Sequence, residues 1–453
     1  MFLQNDKISA ILLVFLLFAA SACLQKEKAE AEDYPVWIEM MEQPDVEMAE
    51  IRQAFDNYWE NHQHRRGDRS KQFEQWYAIN SRRLDQYGKV ISAKQVSSEF
   101  QRLKLKSGAE MKGNWFNYGP IVVGPRDGVK RDGGRVKDIE FHPTDSSTFY
   151  VSTFKGGLFR TRDYGTTWEA VTDQLTEQVF VCEVSDDDPN TIYIGTDNGV
   201  YKSTDEGASW EPTSVGSITK SLLLKNGEQN VVIAGTEIGI YRSVDGGENW
   251  ILVQSAGKVE DLDSHPANPE IMYAATNGPE SEFFRSTDGG QSWTKDISFG
   301  KGCFMGIAVT PAAPNNVYVL NLRDHLGDDS FEGFYISNDA GLNFTKQSEQ
   351  TPCISGYKDD GAISRGQPNY NLFICVDPQD PNLIYAGGIH PWKSEDKGKT
   401  WTYLNTELTA DGGKMHVDQL NWAYSPHDNN IFAANDGGVY LLQEDGKFRT
   451  LTD

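Results

Sequence analysis

Basic residues are scarce in this chain. Its 453 residues hold 42 Lys and Arg against 66 Asp and Glu, a formal net charge of −24. With no basic stripe to neutralise phosphates, the composition argues against nucleic acid and anionic lipid surfaces as partners. Long apolar runs are also scarce. The run from Ile8 to Ala20 follows Lys7 and is too short for a comfortable membrane span. Ala20, Ser21 and Ala22 then supply the small residues of a cleavage site, so 1–22 reads as a secretory signal and the protein as exported. Cysteine is sparse, with five in all. Setting Cys23 aside leaves Cys182, Cys303, Cys353 and Cys375, an even number in an oxidising compartment. The preferred bridge is Cys303 with Cys353; the alternative is four buried thiols.

What the chain does have is repetition. Ser/Thr-x-Asp-x-Gly-x-x-Trp/Phe occurs six times, with its aspartates at Asp163, Asp205, Asp245, Asp288, Asp339 and Asp396, 40 to 57 residues apart. That is the length of one four-stranded propeller blade. The pattern is a tight turn in which the Asp carboxylate accepts backbone N–H groups and Gly takes a positive φ. The closing aromatic starts the next strand, and its ring has more apolar area than one sheet covers, so it is expected between sheets.

Unit two shows the plan: Val181 to Val184, the turn Asp188-Pro189-Asn190, Ile192-Tyr193-Ile194, Asp197-Asn198-Gly199, Val200-Tyr201, then the box at Ser203. Seven units start this way. The seventh, from Leu420, carries only a collapsed box, Glu444-Asp445-Gly446-Lys447-Phe448. The expected fold is all-β, a seven-unit β-propeller over 113–453 behind a short α-helical segment. Ahead of it, 23–43 reads as a tether because Leu24 to Asp33 is charged and cannot pack. Over 44–112, Met48, Ile51, Phe55, Tyr58 and Trp59 follow helical spacing after an Asp45 cap. Phe73, Trp76, Tyr77 and Leu84 repeat it after Ser70, and a third helix is expected around Val96, Phe100 and Leu103. The aromatic faces need cover, which the propeller is expected to supply.

The box resembles the Asp-box, or BNR repeat, of sialidases, xyloglucan-cleaving hydrolases and sortilin-type luminal domains. In those families it is a structural turn away from the ligand face, which gives the box aspartates a scaffold role here. Arg365-Gly366-Gln367 to Tyr370-Asn371, Gly387-Gly388-Ile389, Trp392-Lys393-Ser394, His416-Val417-Asp418-Gln419 and Asn435-Asp436-Gly437-Gly438 resemble longer bacterial surface proteins with sortilin-like (VPS10) repeats, in which further blades follow. Cys23 after Ala22 resembles a bacterial lipobox, which implies a lipid anchor facing the periplasm or outer surface.

Three groups are candidate sites. Asp138, Glu140, Glu183, Asp261 and Asp263 fall at equivalent alternate positions of innermost strands, where they either line a ligand or cation site or meet solvent and backbone donors. The xyloglucan-cleaving relatives imply a catalytic Asp in an early turn of each propeller. Phe154 stands there in the first unit, while Asp436 and Asp197 occupy the same turn in later units, with no second carboxylate identifiable. Unit five has long insertions, in which Arg323, Asp324, His325, Tyr357 and Arg365 are candidate ligand-binding residues. His416 and Asp418 form a His-x-Asp pair without a third ligand, so no metal is expected, nor any cofactor. The reading is a binding protein for an extracellular glycan or protein segment. The alternatives are a glycoside hydrolase with a degenerate or incomplete site and an assembly factor.

Overall fold

The computed structural model describes 36–90, less 42, 44–45, 64–69 and 82–83, and 134–452, less 174, 176–177, 229, 279–280, 300–303, 323–330, 349–369 and 405–414. The chain divides into two compact units, Met1–Ser92 and Ala93–Asp453. Cys23, Asp45, the third helix, Cys303, Cys353, and Arg323, Asp324, His325, Tyr357 and Arg365 lie outside the described residues.

In the first unit, helices run over Trp37–Met40, Met48–Asn61 and Ser70–Asn80. Helical spacing puts Ile51 and Phe55 on one face, where they meet Trp37 and Phe73; Phe55 and Phe73 stack at 3.8 Å. The second helix starts after Glu47, which makes no side-chain cap bond. Leu84 falls beyond the helix Ser70–Asn80 and pairs with Val90 in an isolated bridge, 37% exposed.

The second unit is a seven-bladed β-propeller. Its blades span 136–170, 179–212, 219–255, 258–298, 304–348, 373–403 and 419–450, each an antiparallel sheet of four consecutive strands. Sandwiching each blade between two others explains the continuous apolar runs. Every residue of the second strands Ile192–Thr196, Val232–Thr236 and Ile431–Asn435 is buried, whereas the outer strands Glu169–Ala170 and Glu211–Pro212 are exposed.

Seven apolar clusters fill the interfaces, each shared by two successive blades. Trp168 sits against blade seven, Trp210 against blade one, Trp250 against two, Trp293 against three, Phe344 against four and Trp401 against five. Phe448 of the collapsed box takes the same place between blades six and seven. The box aromatics therefore join blades, as their area requires.

The box turns are alike in detail. In blade two, Ser203 Oγ donates to Asp205 Oδ1 at 2.8 Å and accepts Gly207 N–H at 2.8 Å, while Asp205 Oδ1 accepts Ser209 N–H at 2.8 Å. Gly207 is left-handed at φ 86°, and so is the residue before it, Glu206 at 56°. Arg160, Arg242 and Arg285 each donate to a backbone carbonyl in the next blade's box turn, those of Glu206, Gly289 and Ala340. Their recurrence is a blade-to-blade strut.

Among the described residues no strand is exchanged between the first and last blades. They close through side chains: Trp168 Nε1 donates to Leu451 O at 3.0 Å, Tyr164 Oη to Asp428 Oδ2 at 2.9 Å and Asn421 Nδ2 to Asp138 Oδ1 at 2.6 Å.

Candidate functional site

In a four-stranded meander the turn between strands two and three and the link to the next blade emerge at one end. The boxes and the turns between strands one and two emerge at the other. Phe154, Asp197, Glu237 and Asp436 lie at the first end, as do the strand ends joined by 323–330 and 349–369. This end of the propeller is the candidate ligand face.

Just below it, five innermost strands carry a bulge. Val136 and Asp138 pair with Thr153 and Ser152, which leaves Lys137 unpaired; Phe180, Lys220, Glu260 and Leu420 are the extra residues of blades two, three, four and seven. A bulge breaks the alternation of the strand and re-aims a side chain. Here it gathers charge at the channel mouth. Lys220 pairs with Glu260 and, at 3.2 Å, with Glu237; Lys258 pairs with Glu237 at 3.3 Å. Burial pushes the Lys137 amine down.

Deeper in the channel lie the five carboxyls read from the sequence. Register makes Asp138 and Asp261 equivalent, opposite Ser152 and Ala275, and Glu140, Glu183 and Asp263 equivalent, opposite Tyr150, Tyr193 and Tyr273. Several of them cap the exposed edge of the next innermost strand. Asp138 accepts Cys182 N–H at 3.2 Å, Glu140 accepts Val184 N–H at 3.1 Å and Asp261 accepts Ile307 N–H at 2.7 Å. Burial pushes all five upward, Asp261 to about 6 and Glu140 and Asp263 to about 8. Among the described residues no group of His, Cys, Asp and Glu is arranged to hold a metal ion.

Beside the mouth, blades one, six and seven build a second cluster. The Arg135 guanidinium lies 4.4 Å from the Phe154 ring centre and 3.8 Å from that of Tyr370. Its Nε is 3.3 Å from Asp436 Oδ1, and Tyr370 Oη donates to Asp436 Oδ2 at 3.1 Å. Burial holds the Tyr370 phenol above its ordinary range, which keeps that proton in place. Phe154 is 44% exposed.

A second carboxylate, unseen as such in the sequence, feels the Asp436 charge. Asp418 is held at φ 67°, accepts Asn371 Nδ2 at 2.9 Å and is pushed upward by burial and then by the Asp436 charge. The His416 and His390 rings oppose that rise. Asp197, in the equivalent turn of blade two, instead accepts Gln178 N–H at 3.0 Å.

Cys182 and Cys375 are free, buried thiols. Two cavities lie elsewhere: about 730 Å³ beside Arg52, Trp59 and Glu74 of the helical unit, and about 720 Å³ at the box end between blades two and three. Among the described residues, no helix is long and apolar enough to cross a membrane.

Comparison with known proteins agrees with this architecture. A family profile described as BNR/Asp-box repeat matches 284–295. A probable oligoxyloglucan-reducing end-specific xyloglucanase of Neosartorya fischeri is 25% identical over 206 residues, 44% of this chain and 24% of that protein. A xyloglucanase of Hypocrea jecorina is 40% identical over 82 residues, 17% of this chain and 10% of that protein. This chain thus aligns with a quarter or less of either relative's length. The GH74 xyloglucanase of Xanthomonas campestris superposes with a TM-score of 0.54 at 18% identity, covering 69% of this chain and 52% of that one, a likeness of fold. The chain is thus a seven-bladed β-propeller that carries a BNR/Asp-box repeat.

Proposed function

We propose that this protein is exported, anchored by lipid at Cys23, and holds an extracellular glycan at the channel mouth without cleaving it. The observation that carries the reading is the platform of Phe154, Arg135 and Tyr370, which offers a part-exposed aromatic face beside fixed polar groups. Sugar rings stack their apolar faces on such rings, and neighbouring polar groups fix their hydroxyls. The named relatives act on xyloglucan, which supports a β-glucan as the first ligand class to test. Against cleavage, Phe154 stands where an acid is expected, and Asp436 is engaged by Arg135 and Tyr370.

A second reading, glycoside hydrolysis, is favoured by one observation. Asp418 is a carboxyl held toward its protonated form in the field of Asp436, the division of labour that acid–base cleavage uses. Both readings are tested by passing the mature chain over immobilised xyloglucan, mixed-linkage β-glucan and sialylated glycans, and assaying the same mixtures for reducing sugar. Retention without release supports the binder. Release that vanishes in Asp418→Asn and Asp436→Asn supports the hydrolase. The anchor is tested by mass spectrometry of the processed N-terminus, where an unmodified Cys23 contradicts it.

A further inference from the structure

Of the cations described at this end, Lys155 lies 5.5 Å from the Phe154 ring centre, and three others are neutralised by carboxylates of the protein. Arg135 faces Asp436, Lys220 faces Glu237 and Glu260, and Lys258 faces Glu237. Lys137 makes no hydrogen bond or ion pair among the described residues. Its position is built, because the bulge in the first blade's innermost strand turns it off the regular alternation. The charges acting on it include those of Glu260, Asp261, Lys220, Arg135 and Asp138, on blades four, three and one. Blades one and four do not adjoin, so the space these groups share is the central channel. A part-buried ammonium with no carboxylate in ion-pair contact is unfavourable, and burial lowers its pKa more than the Glu260 and Asp138 charges raise it.

An anionic group on a ligand would supply the missing partner. A charge-assisted bond in a partly desolvated mouth is stronger than one at an open surface. The chain's net charge of −24 disfavours anions in general, so Lys137, which forms no ion pair among the described residues, is the group of this set left to accept one. Arg135 also joins the two features, since it acts on Lys137 and lies over Phe154 and Tyr370.

We infer that the ligand is an acidic glycan, an oligosaccharide whose uronate carboxylate meets Lys137 while a neighbouring ring lies against Phe154. This rests on the glycan reading above and names the class of sugar. Lys137 is then the residue that sets specificity, and a neutral oligosaccharide leaves its ammonium without a partner.

The test is calorimetric titration of the mature full chain with oligogalacturonate and with glucuronoxylan oligosaccharides, each beside its carboxyl-reduced form, and with neutral xyloglucan oligosaccharides. The acidic form of at least one pair is expected to bind about tenfold or more tightly than its reduced counterpart. That preference is expected to shrink with added salt, vanish in Lys137→Met and survive in Lys137→Arg. Lys137→Met removes a charge without a partner, so its melting temperature is expected to match or exceed that of the parent. Equal affinity for acidic and reduced forms in both pairs overturns the inference, as does a preference that persists in Lys137→Met. If neutral xyloglucan oligosaccharides bind, Phe154→Ala abolishes that binding and no acidic preference exists, the glycan reading stands and this one fails. If no glycan of either kind binds, both fail.

Discussion

Asn421, on the innermost strand of blade seven, donates a 2.6 Å hydrogen bond to Asp138 on the innermost strand of blade one. Among the described residues, blades one and seven are joined by side-chain contacts of this kind. Asn421→Ala leaves Oδ1 of a buried carboxyl without its donor and is expected to cost about 1–3 kcal/mol. A fall in the urea midpoint with an unchanged denaturant slope checks this. Trp168→Phe keeps most of the ring area but deletes the bond to Leu451 O, and about 1 kcal/mol is expected there.

The channel carboxyls make stability depend on pH in an unusual direction. Glu140 and Asp263 titrate near 8 and Asp261 near 6 in the folded chain, against about 4 when unfolded. Between those limits the folded state holds protons that the unfolded state has released, so stability falls as pH rises from about 4 to about 8. Each such group contributes at most about 1.4 kcal/mol per pH unit. Unfolding in urea at about pH 5 and about pH 8 is expected to show the higher stability at the acidic value, and Glu140→Gln is expected to flatten the difference.

The box turns act in the opposite sense. Asp245 and Asp339 are held down to about 2, chiefly by N–H and side-chain donors from Asn249 and Asn343. Their contribution is complete above about pH 4 and is lost as pH falls toward 2. Ser203→Ala removes the acceptor of the buried Gly207 N–H and is expected to cost about 1–3 kcal/mol. Glycan retention by the folded fraction is expected to stay unchanged, because the box lies at the opposite end of the blade. Loss of retention at full folding would give the boxes a ligand role.

Much of the scaffold was legible because its information is local. Ser203, Asp205 and Gly207 complete one turn within five residues, and Trp210 announces the interface it fills. The alternation that placed Asp138 with Asp261 and Glu140 with Glu183 and Asp263 is the register of the innermost strands. The mouth was not legible in the same way. Lys137, Lys220 and Glu260 break the alternation, and the signal that finds them is one extra residue when the units are aligned from their second strands. Asp418 was read only as half of a metal pair, since its left-handed backbone and its coupling to the Asp436 charge depend on blades six and seven meeting. Arg135 gains its role only when the ring closes beside Asp436 and Tyr370.

Because Phe154 presents the exposed ring of the platform, it offers the most direct measurement. Phe154→Ala is an exposed substitution with little expected effect on folding. The mature chain and this variant would be titrated with the same neutral and acidic oligosaccharides, with reducing sugar assayed in parallel. The account predicts saturable binding to the parent, a loss of about tenfold or more in the variant and no sugar released by either. Release of reducing sugar by the parent, or affinity unchanged in Phe154→Ala, would contradict it.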